Sequence, residues 1–398
     1  MGHPLRWNRT DLVYEVTIDT IQGRYLLRPS REVRDLIFAV MSRAQDHYAA
    51  VHVYAFVVTR NQATFLLSTG DEDQLPRFMA YVSGEISRKV GRLLDWSGKF
   101  WAGRYRSVPV LDEEAITERL RHVLSQGVAE GLVESPEDWP GASCVPALLG
   151  SMTLVGAWVD RDREARLKAV GIVAPPSAYV RPYCVTLSPL PGWANLPRAE
   201  QVARYQAMID SIELEYLVIT RGHVVDPLEL QRQDPFFRPP TGPRQRLARL
   251  CHSTCATLVS RFRAAYRQFC AAFRAAASAL ARPTPQMIEL VAAFPPGSNP
   301  RPDLPAPRTD GASAPWWSEE PPASAEVTLV DEANSESSTD VPTMRWTKGG
   351  FQATARPSAP PVQTRASPAA RPPVVVARHP EQVTRPLGVP RAPPLQHR

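Results

Sequence analysis

The sequence predicts an α+β protein, with an antiparallel sheet and helices first, a helical extension next and a disordered tail last. Three observations carry that expectation. From Asp11 to Gly131, strand-like alternation and helix-like spacing follow one another as strand, helix, strand, strand, helix, strand, helix. Helical spacing then returns over a long segment, Arg244 to Leu280. Beyond Phe294 the periodicity stops and proline, alanine, serine and arginine dominate. The simplest sheet for the first order is a split βαβ arrangement of the ferredoxin-like type.

Each element has its own warrant. Asp11 to Thr20 alternates Leu12, Tyr14, Val16 and Ile18 against Val13, Glu15 and Thr17, as a half-buried strand does. Ser30 is a good N-cap for a helix running to about Ala49. Val51 to Ser68 reads as two adjacent strands around the turn Arg60-Asn61-Gln62, and on its residues alone it is a core hairpin without chemistry. Gln74 to Leu94 spaces Phe78, Tyr81, Val82, Ile86 and Val90 as one helix face, with Arg77, Arg88, Lys89 and Arg92 on the other. A loop rich in glycine and aromatic residues, Ser97 to Tyr105, leads into a short strand, Ser107 to Leu111. Asp112 caps a third helix with acids in its first turn, ending near Gly131. Such a sheet carries helices on one face and leaves the other free to bind.

In the extension, Ser151 to Val170 has helical character, Pro175 to Trp193 is loop-like, and Arg198 to Glu215 is a helix. The long Arg244 to Leu280 helix aligns Leu258, Phe262, Tyr266, Phe269 and Phe273 beside an arginine stripe, Arg263, Arg267 and Arg274. That stripe is read first as a solvated helix face, the functional reading being a row of phosphate contacts. Cys251 and Cys255 share a face of the same helix as small packing residues, because a zinc site needs more ligands than the segment supplies.

Composition narrows the function classes. A net charge of +6 over 398 residues fits a polyanionic partner without requiring one. Of the 41 prolines, about half follow residue 290, where a basic tail can add non-specific nucleic-acid affinity or serve only as a solvated extension. Five cysteines at irregular spacing argue against a disulfide framework and for a reducing compartment. The first residues lack the apolar core of a signal peptide, and no apolar run approaches a membrane span. The expectation is a soluble cytoplasmic protein, nucleoid-associated if it binds DNA, with no membrane partner.

Three segments, in order and at matching spacing, resemble the REP-associated tyrosine transposases, relatives of the HUH enzymes that cut single-stranded DNA at hairpins. They are Phe56 to Leu67 (FVVTRNQATFLL), Ser97 to Asp112 (SGKFWAGRYRSVPVLD) and Leu120 to Ser143 (LRHVLSQGVAEGLVESPEDWPGAS). The resemblance covers roughly residues 8–150, leaving 151–290 as a mainly helical extension and 291–398 as the tail. It implies a ferredoxin-like domain in which a His-hydrophobic-His pair on the second hairpin strand holds Mg²⁺ or Mn²⁺. A tyrosine on the third helix would attack the scissile phosphate and leave a 5′-phosphotyrosine link. The physical logic is direct, since residues i and i+2 of a strand share a face and can chelate one metal. That metal offsets charge developing on a phosphoryl oxygen, and the phenol, with a free pKa of about 10, needs such help.

The residues at those positions differ. Gln62 and Thr64 stand where the resemblance places the two histidines, and His122 stands at the tyrosine position. Gln126, one helical turn later, aligns with a further polar ligand. Gln62 and Thr64 are neutral oxygen donors and hold a divalent ion weakly without an added carboxylate. The resemblance therefore implies a transposase-type protein whose strand cleavage is lost, with binding of hairpin or single-stranded DNA retained and no cofactor required. An active enzyme with a divergent constellation, using Mg²⁺ or Mn²⁺, is the alternative. For binding, Arg88, Lys89, Arg92, Lys99, Arg104 and Arg106 interleave with Trp101 and Tyr105, a pattern in which arginines track phosphates and rings stack on bases. The same pattern serves a domain whose aromatics are core and whose arginines are solvated. A third reading makes the sheet a platform and the proline-rich tail a recruiter of protein partners.

Overall fold

A computed structural model describes residues 4–220, 224–240, 249–280 and 294–298. The chain divides into two units, Met1–Ser324 and Ala325–Arg398, of which the second lies outside the described residues; of the stretch expected to be disordered only 294–298 is described, and there Phe294 and Ser298 are buried and Gly297 O accepts from Asn8 N at 2.9 Å. In the first unit the elements run β1 (Val13–Asp19), α1 (Arg31–His47), β2 (Val51–Val58), β3 (Gln62–Thr69), α2 (Gln74–Leu93), β4 (Arg106–Val110) and α3 (Glu113–Ala129). They continue with α4 (Val145–Leu148), β5 (Val155–Val159), α5 (Arg161–Ala169), β6 (Val180–Cys184), α6 (Arg198–Thr220), α7 (Pro227–Arg232) and α8 (Ala256–Leu280).

The main sheet has the order β2-β3-β1-β4 and all its pairings are antiparallel. With β1 and β3 central, this is the ferredoxin-like sheet that the element order predicts. Local chemistry sets the helix ends. The Ser30 side chain accepts from the Val33 amide at the start of α1, and Asp112 accepts from Ala115 N at 2.8 Å at the start of α3. Helix α1 lays Phe38 edge-on to Phe56 of β2, which stacks on Phe65 of β3, and α2 adds Phe78 and Met79 to the same core. Burying one such ring stabilises the fold by about 1.5–3 kcal/mol. A bulge shifts the β2–β3 register between Val53 and Ala55.

The second face of the sheet is not free. Helix α3 packs over β2 and β3, on the side carrying Glu15, Thr17, Asp19, Gln62 and Thr64, opposite Phe56 and Phe65. For that reason β1 is buried on both sides rather than on one. Both sheet edges are covered as well. Cys144 N donates to Phe56 O while Val58 N donates to Ala142 O, closing the β2 edge. His252 N donates to Pro109 O and Leu111 N to His252 O, closing one end of the β4 edge.

The extension departs from expectation in three places. Ser151 to Val170 contains a strand before its helix, and Pro175 to Trp193 contains another, and the two form the antiparallel β5–β6 pair. Strand β5 crosses α1 so closely that a Cβ on Gly156 would lie 2.1 Å from Ala39 N. Of the helix expected from Arg244, residues 241–248 lie outside the described residues, and helix begins only at Ala256. Cys251 and Cys255 therefore share no helix face. The segment that holds them runs extended beside β4, fastened by Asp112, which accepts from Ser253 Oγ at 2.5 Å and Thr254 N at 3.0 Å.

Candidate functional site

On the covered face, β1 and β3 run in register with Thr17 opposite Thr64 and Asp19 opposite Gln62. Alternation puts these four side chains, with Glu15, under α3. Helical spacing puts Arg119, His122 and Gln126 on the face of α3 that looks down at them. Three of the four positions singled out by the resemblance, Gln62, Thr64 and Gln126, thus come together, while His122 faces Glu15 beside them.

They meet as a hydrogen-bond chain. Gln126 Nε2 donates to Thr64 Oγ1 at 2.8 Å, Thr64 Oγ1 donates to Gln62 Oε1 at 3.2 Å, and Gln62 Nε2 donates to Asp19 Oδ1 at 2.5 Å. Asp19 Oδ2 accepts from Arg106 Nη2 at 3.1 Å, and Arg106 Nε reaches Thr17 Oγ1 at 3.1 Å. Thr64 has no exposed surface and Gln126 is 7% exposed. A divalent ion at Gln62, Thr64 and Gln126 would meet only neutral oxygens, two of which already bond one another. The Asp19 carboxylate lies beside them, bonded to Gln62. Among the described residues no three His, Cys, Asp or Glu side chains are placed to hold one.

Beside this chain lies a second group that sequence reasoning missed. Glu15, 7% exposed, points its carboxylate at two imidazoles, with Oε2 2.8 Å from His252 Nε2 and Oε1 3.7 Å from His122 Nε2. Arg119 Nη1 stands 4.0 Å from Oε2. Burial pushes the Glu15 carboxyl up, yet the His252 hydrogen bond and the charges of His122, His252 and Arg119 outweigh it and hold the carboxyl below its ordinary value. Burial lowers the His122 pKa, with Arg119 and His252 acting in the same sense and Glu15 opposing. The His122 side chain is nonetheless 51% exposed, so solvent screens all of these effects. Glu15 Oε1, Arg119 Nε and Gln126 Oε1 are buried without a hydrogen-bond partner. One weak signal for this group existed, since a charged residue in an otherwise apolar strand invites a partner. Nothing in the spacing named His252.

The expected DNA-contacting residues divide. Arg88, Arg92, Lys99 and Arg104 are exposed, with Arg88 paired to Glu85 and Lys99 Nζ donating to Ala102 O at 2.9 Å. Lys89 is half-buried, its Nζ 3.8 Å from the Trp158 ring centre, and burial lowers its pKa. Arg106 belongs to the chain through Asp19. The two aromatic residues are packing residues rather than open platforms. Trp101 donates Nε1–H to Ser83 O at 2.9 Å and stands edge-on to Phe100. Tyr105 is 8% exposed, with the Arg6 guanidinium 3.6 Å above its ring. In α8, Phe262 and Phe269 stack on Trp7, while Arg263, Arg267 and Arg274 are exposed.

No protein-family model matches the chain, and a search of curated proteins finds no match either. Among solved structures the chain is similar to a REP-associated tyrosine transposase bound to a REP hairpin, at 16% identity and a TM-score of 0.31, over 37% of this chain and 86% of that one. It is also similar to a protein described as a transposase of Deinococcus radiodurans R1, at 17% identity and a TM-score of 0.23, over 32% of this chain and 95% of that one. Likeness at this level has no bearing on activity. Among the described residues no helix is long and apolar enough to cross a membrane.

Proposed function

We propose that the chain is a transposase-type DNA-binding protein that recognises hairpin or single-stranded DNA and has lost strand cleavage. The observation that carries this reading is the closed chain Gln126–Thr64–Gln62–Asp19. Three of its four positions, Gln62, Thr64 and Gln126, are those the resemblance gives to the metal site, and these residues bond one another and Asp19 instead of presenting imidazoles to a metal. Support for binding comes from the three resembling segments and from the exposed cations Arg88, Arg92, Lys99 and Arg104 beside them. Such a protein needs no cofactor. A gel shift with a hairpin bearing a single-stranded flank, run in a salt series, tests the reading. Binding that weakens steeply with salt is expected, and either no binding at low salt or salt-independent binding rejects it.

One observation favours an active enzyme instead, namely the Glu15 carboxylate facing the half-exposed His122 ring. If His122 attacked phosphorus, its ring nitrogen would form the P–N bond, the 3′ oxygen would leave with a proton, and a phosphohistidine link would remain. The same hairpin incubated with Mg²⁺ or Mn²⁺ separates the two readings. No covalent protein–oligonucleotide adduct is expected, whereas an adduct lost in His122→Ala assigns that residue.

A further inference from the structure

Just past α7, the segment from Gln233 to Pro239 lies across the loop between β1 and α1 and the residues after α2. Phe236 stacks on Trp96 with ring centres 5.7 Å apart, and Phe237 packs on Tyr25 at 5.2 Å. Two arginines of the loop donate to the backbone of the segment, Arg24 to Phe236 O and Arg28 Nη1 to Gln233 O at 3.1 Å. Asp234 fixes the segment's own turn by accepting from Phe236 N at 2.9 Å. The loop below is fastened to the β2–β3 turn, where Leu27 N donates to Arg60 O at 2.9 Å and Asn61 Nδ2 to Gly23 O at 3.3 Å. The covered surface therefore adjoins the Gln62 end of the polar chain.

This strap is held loosely. Phe236 and Phe237 remain 40% and 46% exposed. Arg28 Nε, Trp96 Nε1 and Gln233 Oε1 are buried with no hydrogen-bond partner, an unfavourable state for the closed arrangement. The surface beneath pairs rings with cations, the Arg24 guanidinium 5.5 Å from the Trp96 ring centre and that of Arg60 4.3 Å from the Tyr25 ring centre. Among the described residues Arg24 and Arg28 form no ion pair, whereas Arg60 has Glu130 at 3.9 Å. Rings on aromatic faces and oxygens on guanidinium groups are what a single strand supplies with its unpaired bases and its phosphates. We propose that Gln233 to Pro239 is a displaceable strap and that single-stranded DNA takes its place. Bases then lie on the faces of Trp96 and Tyr25 that the phenyl rings cover, and phosphates on Arg24 and Arg28. The inference rests on the DNA-binding reading and deepens it by naming a surface and its internal competitor. The arginine-rich sequence after Arg345 is no rival occupant, because it carries the same sign of charge as the surface.

The test uses the full chain and a short oligothymidylate, beside the hairpin that tests the reading itself. Phe236→Ser with Phe237→Ser should bind the oligonucleotide about 5- to 100-fold more tightly than wild type, each ring contact favouring the closed state about 2- to 10-fold. Adding Trp96→Ala to that variant should weaken binding about 5- to 100-fold, the worth of one stacked base. A measurement on wild type needs no variant to fold. Chymotrypsin cleavage after Phe236 and Phe237 should accelerate when the oligonucleotide is added, and polyglutamate, which has charge without bases, should leave it unchanged. Binding by the double variant that is no tighter than wild type, or cleavage that the oligonucleotide does not accelerate, overturns the strap. Equal acceleration by polyglutamate, or no loss with Trp96→Ala, overturns the placing of bases on these rings. Hairpin binding that persists through any of these results leaves the DNA-binding reading standing. If neither DNA binds wild type or the double variant, the reading and the strap fall together.

Discussion

The polar stripe under α3 has two ends that solve the same problem differently. At one end, Gln126, Thr64, Gln62 and Asp19 form a chain of neutral groups and one carboxylate within the sheet and α3, with Gln126 Oε1 left unmet. At the other end, Glu15 is a buried charge that no residue of the sheet neutralises. It draws His252 from a segment far along the chain and still leaves Oε1 without a donor. The contrast teaches that amides and a hydroxyl beside one carboxylate can bond one another within the sheet and α3. The Glu15 carboxylate instead commits the fold to importing a partner. It also explains why the extension docks where it does, because Glu15 holds His252 and Asp112 holds Ser253 and Thr254 of the same short segment.

The sharpest way to break this comparison is to remove the charge. Glu15→Leu leaves His252, itself nearly buried, without its partner. Breaking a buried pair from one side costs about 3–5 kcal/mol, and the lower figure applies because Arg119 and His122 keep access to water. Urea unfolding of the single variants and of Glu15→Leu with His252→Leu forms a double-mutant cycle. The double variant should recover much of the loss. Strict additivity would mean that the pair is incidental and that the segment is held by Asp112 alone.

The elements from β1 to α3 were legible because their signals are local and redundant. Period-two alternation, the Ser30 and Asp112 caps and the apolar stripes of α1 and α2 each point to the element that formed, within a residue or two. The extension was not, because its elements are defined by tertiary packing. Strand β5 is short and holds a glycine whose role is the close approach to Ala39, which leaves no alternation to read. The segment around His252 has helical composition yet runs extended, because hydrogen bonds to Pro109, Leu111 and Asp112 outweigh weak propensity. For the site, the strand period placed Gln62 and Thr64 on one face, and the helix period placed His122 with Gln126. What no period could supply was that Glu15 faces the same space or that His252 arrives from elsewhere. Tyr105 and Trp101 show the opposite limit, since an aromatic-basic run reads alike whether its rings are exposed or packed.

A milder test probes the neutral end. Thr64→Val keeps the shape of a side chain with no exposed surface and deletes the hydroxyl at the centre of the chain. Gln126 Nε2 and Gln62 Oε1 then lose their shared partner, for which about 1–3 kcal/mol is expected. Gln126→Met should cost less, about 1 kcal/mol or below, because it removes an amide whose Oε1 is already unmet. Equal losses in the two variants would show that Thr64 is not the hub, and thermal or urea unfolding reads both.

The smallest effect, and the one that separates the two ends most cleanly, is pH dependence. The folded Glu15 carboxyl lies below its ordinary value of 4.5, so its contribution is complete above that pH and is lost as pH falls through the folded value. The folded His122 pKa lies below its ordinary 6.5, so the unfolded chain takes up that proton first. Stability from this group is therefore also lost on acidification, but it begins to go from about pH 6.5 downward. The two signs agree and the windows differ. Half-exposure of the His122 ring keeps its share small. Melting temperature followed from neutral pH to pH 4 should show a shallow decline and then a steeper one. His122→Gln should flatten only the shallow part and Glu15→Gln only the steep part. Thr64 carries no titratable group, so Thr64→Val should shift the whole curve down without changing its shape. A Thr64→Val curve that changes shape would mean that the two ends are one coupled network.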